Sequence, residues 1–237
     1  MSLSIVLPCY NEQDNIPALC ERLDAVAAGH PGIEIVLVNN GSTDNSSAVF
    51  REALAKRNPG VFRVVDVEKN IGYGYGILTG LRSATGNVLA VTHADRQTDP
   101  MDVLKAFDIF MRYQDPFLLV KGYRKNRKFS EAVFSYGMGV LASLALGTRL
   151  TEINAQPKLF SKTFFNEVGK DAPLDFSLDL YFLYQAKKKG RIIDFPVFFG
   201  KRVAGEAKGG SGSSFKVRWK LIKRSFKYIF ELRKEIK

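Results

Sequence analysis

From Ser4 to Lys121 this chain alternates short apolar runs with helical stretches, each joined by a polar turn, and that alternation constrains its fold more than any other feature. Ser4–Pro8 reads as an apolar strand. Asn15 followed by Ile16 and Pro17 starts a helix to about Ala28, since proline is pre-organised for the first helical turn. Ile33–Val38 (IEIVLV) suits a strand buried on both faces. Asn39–Ser42 turns the chain, and Asp44 or Asn45 can cap a helix to about Arg57. Val61–Val67 is a third strand, and a glycine-spaced helix start follows it. Asn87–Thr92 is a fourth strand, a helix covers about Met101–Tyr113, and Pro116–Lys121 is a fifth strand. This pattern predicts an α/β fold, a mostly parallel sheet with helices on both faces. In such sheets ligands bind beyond the carboxyl ends of the strands. Four polar clusters fall there: Pro8–Glu12, Asn39–Asp44, Lys69–Gly76 and His93–Asp99.

Of the 237 residues 46% are hydrophobic, enough for one sizeable core. After about residue 150 the alternation weakens. Gly205–Ser214 reads as a glycine- and serine-rich loop and Phe215–Lys237 as a final helix. The expected organisation is a domain over residues 1–210 and a basic amphipathic helix over 211–237. The formal net charge of +11 is concentrated in Lys201–Lys237, which holds twelve Lys/Arg against three Glu. Charge placed this way suits a polyanionic partner, either an anionic membrane surface or a nucleic acid. Cys9 and Cys20 lie in segments of core character, which points to a reducing cytosolic compartment. The first residues enter a strand at once, so no signal peptide is expected. The uncharged run Ala132–Thr148 is shorter than the ~20 residues of a membrane span. It reads as a helix buried in the domain or in a homo-oligomer interface, or as one lying at a membrane surface.

Three patterns carry chemistry. His93-x-Asp95-x-Gln97 follows a strand directly, and alternation would aim the three side chains the same way. A hard divalent cation takes oxygen ligands together with substrate phosphates. Asp95 offers a charge and Gln97 a carbonyl oxygen. The same residues would also serve as a strand-end turn with capping aspartates before Pro100. The run Asn70-x-Gly72-x-Gly74-x-Gly76-x-x-x-Gly80 allows close backbone approach to a ligand, with helix-start amides that favour phosphate. The alternative is tight helix–sheet packing. It is neither a dinucleotide fingerprint, since Ile77 stands at the third glycine position, nor a P-loop, since no Gly-Lys-Ser/Thr ends it. In the final helix Phe215, Trp219, Ile222, Phe226 and Ile229 form one stripe, flanked by Lys216, Arg218, Lys220, Lys223, Arg224 and Lys227. That suits an anionic leaflet, unless the stripe packs on the domain or on a twin subunit.

Taken in order, the motifs resemble family 2 glycosyltransferases of the GT-A fold. Val6-Leu7-Pro8-Cys9-Tyr10-Asn11-Glu12 is similar to their opening strand, and Asn39-Asn40-Gly41-Ser42-Thr43-Asp44 to their Asp-Asp-Gly-Ser-Thr-Asp turn. Asn70–Gly86 resembles the helix that follows. His93-Ala94-Asp95-Arg96-Gln97 stands where Asp-Ala-Asp-x-Gln is usual. Lys121-Gly122-Tyr123-Arg124, Gln156-Pro157-Lys158-Leu159-Phe160, Phe195-Pro196-Val197 and Arg202-x-x-Gly205-x-x-Lys208 resemble later blocks of the dolichyl- and polyprenyl-phosphate sugar transferase branch. The resemblance spans about residues 3–210. It implies inverting transfer from a nucleotide-sugar donor, with a divalent metal (Mg²⁺ or Mn²⁺), to a lipid-linked acceptor in cell-envelope glycan synthesis. The protein would then sit in the cytoplasm, held peripherally on the inner face of the plasma membrane. The resemblance places Pro8, Tyr10 and Glu12 in the nucleotide pocket, Asn39 against the base, and Asn70, Gly72 and Gly76 beside the donor. It places Asp95, Gln97 and His93 on the metal. Arg124, Arg127, Arg202 and Lys208 would meet donor or acceptor phosphates, where charge-assisted hydrogen bonds are strongest. Asp179, at the family's acidic position before a helix, is the expected base for a hydroxyl acceptor, with Asp175 as the fallback. A phosphate acceptor is already anionic and needs no base.

Two residues depart from the family pattern. An Asp in place of Asn39 would accept the ring N–H of uracil or guanine. Asn can instead donate to cytosine N3 and accept from its amine, which raises a cytidine-linked donor, although Asn also accepts from uracil. His93 in place of Asp removes a negative charge near the phosphates and leaves a ligand or a neutral donor. A rival, a sugar nucleotidyltransferase, would open with a glycine- and basic-rich loop where this chain has Pro8–Glu12. A nucleic-acid-binding protein would need a recognition motif, which the chain lacks, so no nucleic-acid partner is expected. A fold of this family that has lost activity is the third reading.

Overall fold

The computed structural model describes residues 1–113, 115–126, 129–200 and 215–234. Its elements run β1 (Leu3–Cys9), α1 (Ile16–Ala28), β2 (Ile33–Asn40), α2 (Ser46–Leu54), β3 (Phe62–Val67), α3 (Tyr73–Ser83), β4 (Val88–Val91), α4 (Asp102–Met111) and β5 (Leu118–Lys125). Then follow α5 (Phe129–Leu146), β6 (Lys158–Ser161), α6 (Lys162–Val168), α7 (Leu178–Lys189), β7 (Arg191–Phe198) and α8 (Phe215–Lys234). The seven strands lie in the order β3-β2-β1-β4-β6-β5-β7. The expected α/β architecture holds, and β6 alone is reversed, antiparallel to both β4 and β5.

Both faces of the sheet are covered, which explains why a strand such as β2 is apolar almost throughout. α1, α2 and α4 cover one face with Leu23, Phe50 and Phe107. α3, α5, α6, α7 and α8 cover the other with Leu78, Ala142, Phe164, Phe182 and Ile229. α1 buries Ile16, Leu19, Cys20, Leu23 and Val26, one stripe at helical spacing, with proline in its first turn. Each large apolar side chain buried this way contributes about 1.5–3 kcal/mol. Both cysteines are free and buried. Burial pushes the Cys20 thiol up to about 11 and the Cys9 thiol well above its ordinary value, so neither is a ready nucleophile.

The last part of the chain differs from its sequence reading in two ways. α5 takes up the apolar run after Ala132 and buries Ala142 and Leu146, but it leaves Val133, Tyr136, Val140, Leu141 and Leu144 exposed. α8 packs along α5 and buries Ile229 and Leu232 in the domain core. The apolar stripe of α8 is therefore turned inward at Ile229. The side chains of Phe215, Trp219 and Ile222 lie outside the described residues. Among the described residues no helix is long and apolar enough to cross a membrane.

Candidate active site

Strand register brings the polar loops to one edge. Cys9 pairs with Asn39, Val6 with Val91, and Asn39 with Asp66, so the segments leaving β1, β2, β3 and β4 emerge side by side. The first two loops are stitched together. Asn11 Nδ2 donates to Thr43 Oγ1 at 3.1 Å, Thr43 N donates back to Asn11 Oδ1 at 2.8 Å, and Glu12 N donates to Ser46 Oγ at 3.1 Å. Asp44 rather than Asn45 caps α2, accepting from Ser46 N at 2.9 Å. Asn11 holds a positive φ of 54°, an uncommon backbone state that tends to mark functional turns. Pro8, Tyr10 and Glu12 are half-buried on this rim. Glu12 also starts α1, with its carbonyl accepting from Asn15 N and Ile16 N.

Asn39 is buried beneath the rim. Its Nδ2 donates to Ser47 Oγ at 2.7 Å and to Asp66 Oδ1 at 2.8 Å, while its Oδ1 has no partner among the described residues. The orientation is set by chemistry: flipping the amide would turn its oxygen onto the Asp66 carboxylate, which accepts only. The group left for a ligand is therefore a carbonyl. It can accept a ring N–H or an amine, and its donors are not available for cytosine N3. Of the two contacts expected with cytosine, this orientation lacks the one to N3 and keeps the one to the amine.

Of the two readings of the glycine run, the contacts bear on tight packing. A side chain on Gly72 would strike the Leu174 carbonyl, one on Gly74 would come within 2.6 Å of the Pro173 carbonyl, and one on Gly76 within 2.6 Å of Asn40 Cγ. Their missing side chains make room for the loop before α7 and for β2, so Gly72 and Gly76 serve packing. Asn70 Oδ1 accepts from Gly72 N at 3.1 Å, which shapes this turn.

β4 ends at Val91, so strand alternation does not reach His93–Gln97. A turn through Arg96, at φ 59°, places these residues instead. Asp95 is buried, its Oδ1 accepting from Gln97 N at 3.1 Å. Gln97 donates through Nε2 to the Gly200 carbonyl at 3.3 Å, which leaves Oε1 as its acceptor end. Burial holds the His93 imidazole below its ordinary pKa despite the attraction of Asp95 and Asp179, so near pH 7 it is neutral and able to act as a ligand or a donor. Among the described residues no three His, Cys, Asp or Glu side chains gather into a closed metal site.

Beneath Asp95 lies a buried pair that the sequence reading had not assembled. Lys158 Nζ donates to Asp179 Oδ1 at 2.6 Å and to the Ala155 carbonyl at 3.0 Å, and Gln156 Nε2 donates to Asp179 Oδ1 at 3.2 Å. Burial lowers the Lys158 pKa even against the pull of Asp179. Tyr73 reaches the same group, and burial together with the Asp179 charge raises its phenol well above its ordinary pKa. Asp175, the fallback base, caps Ser177 N at 2.8 Å and lies 3.3 Å from Arg224 of α8. Arg124 is paired with Glu152 at 2.7 Å and stacked over Phe199 at 5.4 Å. An incoming anion would have to compete with that carboxylate. Arg127, Arg202 and Lys208 lie outside the described residues.

Sequence reasoning also missed Asp66, although its place at the end of β3 beside Asn39 was available from strand lengths. It quoted Lys158 only as part of a motif, because the short reversed strand that buries it gives no periodic signal.

The fold is shared with known proteins. A mycobacterial glucosyl-3-phosphoglycerate synthase (Mycobacterium tuberculosis), solved with Mn²⁺, UDP-glucose and phosphoglyceric acid, superposes with a TM-score of 0.73 at 16% identity, over 98% of this chain and 79% of that one. A mannosyltransferase from Pyrobaculum calidifontis, solved with GDP-Man and Mn²⁺, superposes with a TM-score of 0.60 at 22% identity, over 85% of this chain and 57% of that one. Both likenesses concern the fold, which is of the expected GT-A type. Among curated relatives, the dodecaprenyl-phosphate galacturonate synthase of Rhizobium johnstonii is 27% identical over 71% of this chain and 50% of its own length. The undecaprenyl-phosphate 4-deoxy-4-formamido-L-arabinose transferase of Klebsiella pneumoniae is 32% identical over 54% of this chain and 38% of its own length. This chain thus spans half or less of these relatives. The family described as glycosyl transferase family 2 matches residues 4–174, and the chain belongs to that family.

Proposed function

We propose that this chain transfers a sugar from a nucleoside-diphosphate sugar to a polyprenyl phosphate at a membrane surface. The observation that carries the acceptor is the buried Lys158–Asp179 pair. Protonating Asp179 would strip the buried ammonium of its counter-charge, and breaking such a pair costs about 3–5 kcal/mol. Asp179 is therefore a fixed charge rather than a base. An acceptor that brings its own anionic oxygen needs no base. Its phosphate oxygen attacks the anomeric carbon, the bond from that carbon to the diphosphate breaks on the opposite side, and the configuration inverts. The names of the curated relatives, both polyprenyl-phosphate sugar enzymes, support this acceptor.

On the donor side, the Asn39 carbonyl favours a base with a ring N–H, as in uracil or guanine. Pro8 and Tyr10 form the pocket wall beside it. Asp95, with His93 and Gln97 as further ligands, would hold Mg²⁺ or Mn²⁺, whose charge would offset that of the leaving diphosphate. Neighbours of this fold solved with UDP-glucose or GDP-Man and Mn²⁺ support the choice. For the membrane, α5 exposes Val133, Tyr136, Val140, Leu141 and Leu144, and α8, which packs on α5, exposes Lys223, Lys227 and Arg233. Apolar side chains for the interface beside cations for the headgroups make a peripheral anchor on an anionic leaflet. The attachment we propose is to the cytoplasmic face of the plasma membrane.

The test supplies labelled UDP- or GDP-sugar, Mn²⁺ and either polyprenyl phosphate or the neutral polyprenol. Label should enter the organic phase with the phosphate alone. Equal transfer to the alcohol, or none to either, contradicts the reading.

A further inference from the structure

We propose that the face of the sheet beside α7 carries a second anion site, separate from the donor edge, which takes a small phosphate-type oxyanion. In the register of β6, β5 and β7, Lys158 stands opposite Lys121 and Lys121 opposite Asp194. Residues at one register position share a sheet face, so two lysines lie side by side, an arrangement that is destabilising unless each is answered.

The answers differ. Lys158 is closed off by Asp179 and the Ala155 carbonyl. Lys121 is equally buried, with 1% of its surface exposed, and its Nζ lies 2.9 Å from Asp194 Oδ1. That half-exposed carboxylate is its one partner among the described residues, whereas Lys158 has two acceptors, so much of the donor capacity of the Lys121 ammonium is left for an incoming acceptor.

The space for such an acceptor is present. A cavity of about 240 Å³ is lined by Lys121, Arg149, Thr151, Leu183, Lys187 and Asp194. Three cations face one carboxylate. Lys121 forms the floor, while Arg149 and Lys187 are exposed at the mouth. A guanidinium fork, two ammonium groups and a hydroxyl match the acceptor oxygens of a phosphate monoester. The mouth of this cavity lies away from Asp179, which is in the first turn of α7 while Lys187 is in its last, about 12 Å apart along the helix axis; its floor adjoins Lys158 through the strand register. The phosphate could belong to a free small molecule or to a phospholipid headgroup, since both present the same oxygens.

The first probe is inorganic phosphate, titrated against the full chain and read by thermal stabilisation, with saturating nucleotide and Mn²⁺ filling the donor edge. Phosphate should still stabilise the protein, and Arg149→Ala with Lys187→Ala should weaken that response at least tenfold while leaving the nucleotide response unchanged. These two residues are exposed, so the variant should fold. Lys121→Met is a second variant, read the same way if it folds. A parallel arm uses vesicles containing phosphatidic acid. A response to free phosphate that the double variant loses marks a soluble ligand; a vesicle response marks a headgroup at this site only in the part that the double variant loses, since the face formed by α5 and α8 also takes an anionic leaflet. A phosphate response that the double variant retains, or that nucleotide with Mn²⁺ abolishes, overturns the site.

Discussion

Between β1 and β4 the polar residues stand beyond the strand ends, held by loops that hydrogen-bond to one another. Between β6 and β7 two lysines stand inside the buried face of the sheet. The first arrangement lets a ligand come and go without touching the core. The second sets a fixed charge at Lys158, which Asp179 and the Ala155 carbonyl close off and which is costly to unpair, while Lys121 beside it has one half-exposed carboxylate. In the function proposed above, donor recognition falls to the first region and a fixed counter-charge to the second.

That contrast predicts different outcomes for carboxylates in the two regions. Asp95→Asn should reduce transfer by ~10²-fold or more, as loss of a charge-stabilising contact in a reaction centre does. It should leave the denaturation midpoint nearly unchanged. Initial rates and a urea melt check both halves, and a variant that unfolds would break the contrast. Asp179→Asn should destabilise the fold by about 3–5 kcal/mol, because it orphans a buried lysine. Asp194→Asn should cost about 1 kcal/mol, since Asp194 is 40% exposed and water screens its pair. Equal costs in urea would mean that the two lysines are equivalent.

A smaller effect separates the regions by pH. Burial lowers the pKa of both Lys121 and Lys158, with Asp194 and Asp179 only partly offsetting it. In the unfolded chain both lysines stay protonated to higher pH, so the unfolded state binds more protons and stability rises as pH climbs from their folded values toward 10.5. Glu34, tying the start of β1 to Arg63 and Thr85, behaves oppositely. Burial pushes its carboxyl up, but hydrogen bonds from Ser4, Thr85 and Arg63 outweigh this and leave it below its ordinary value. Its stabilisation is present above its unfolded pKa and lost as pH falls through the folded one. Urea midpoints across pH should show an alkaline rise that Lys121→Met reduces and an acid loss that Glu34→Gln reduces.

The first region was largely legible in the sequence because buried parallel strands read as apolar runs, and their carboxyl ends had to carry the polar turns. Pro8, Asn39 and Asp95 were placed from that rule and from family motifs. The direction of the Asn39 amide was not legible, because it depends on Asp66 and Ser47, which strand register brings to it. The second region was less legible. β6 has four residues, begins with lysine and pairs antiparallel, so it has no period to read. The glycines after Asn70 looked like a phosphate cradle because packing against residues 173–175 leaves the same mark in a sequence as packing against a ligand. The α8 stripe left both a leaflet and packing on the domain open, because periodicity reports a face and not what covers it; Ile229 is buried.

The most direct test of the central claim, a metal-dependent nucleotide site at the strand ends read by the Asn39 carbonyl, is thermal stabilisation by UDP, GDP, dTDP and CDP, each with and without Mn²⁺. The account predicts that a nucleotide with a ring N–H stabilises the protein, that Mn²⁺ strengthens the effect, and that CDP falls well behind. Stabilisation by CDP alone, or by no nucleotide in a folded sample, would contradict it.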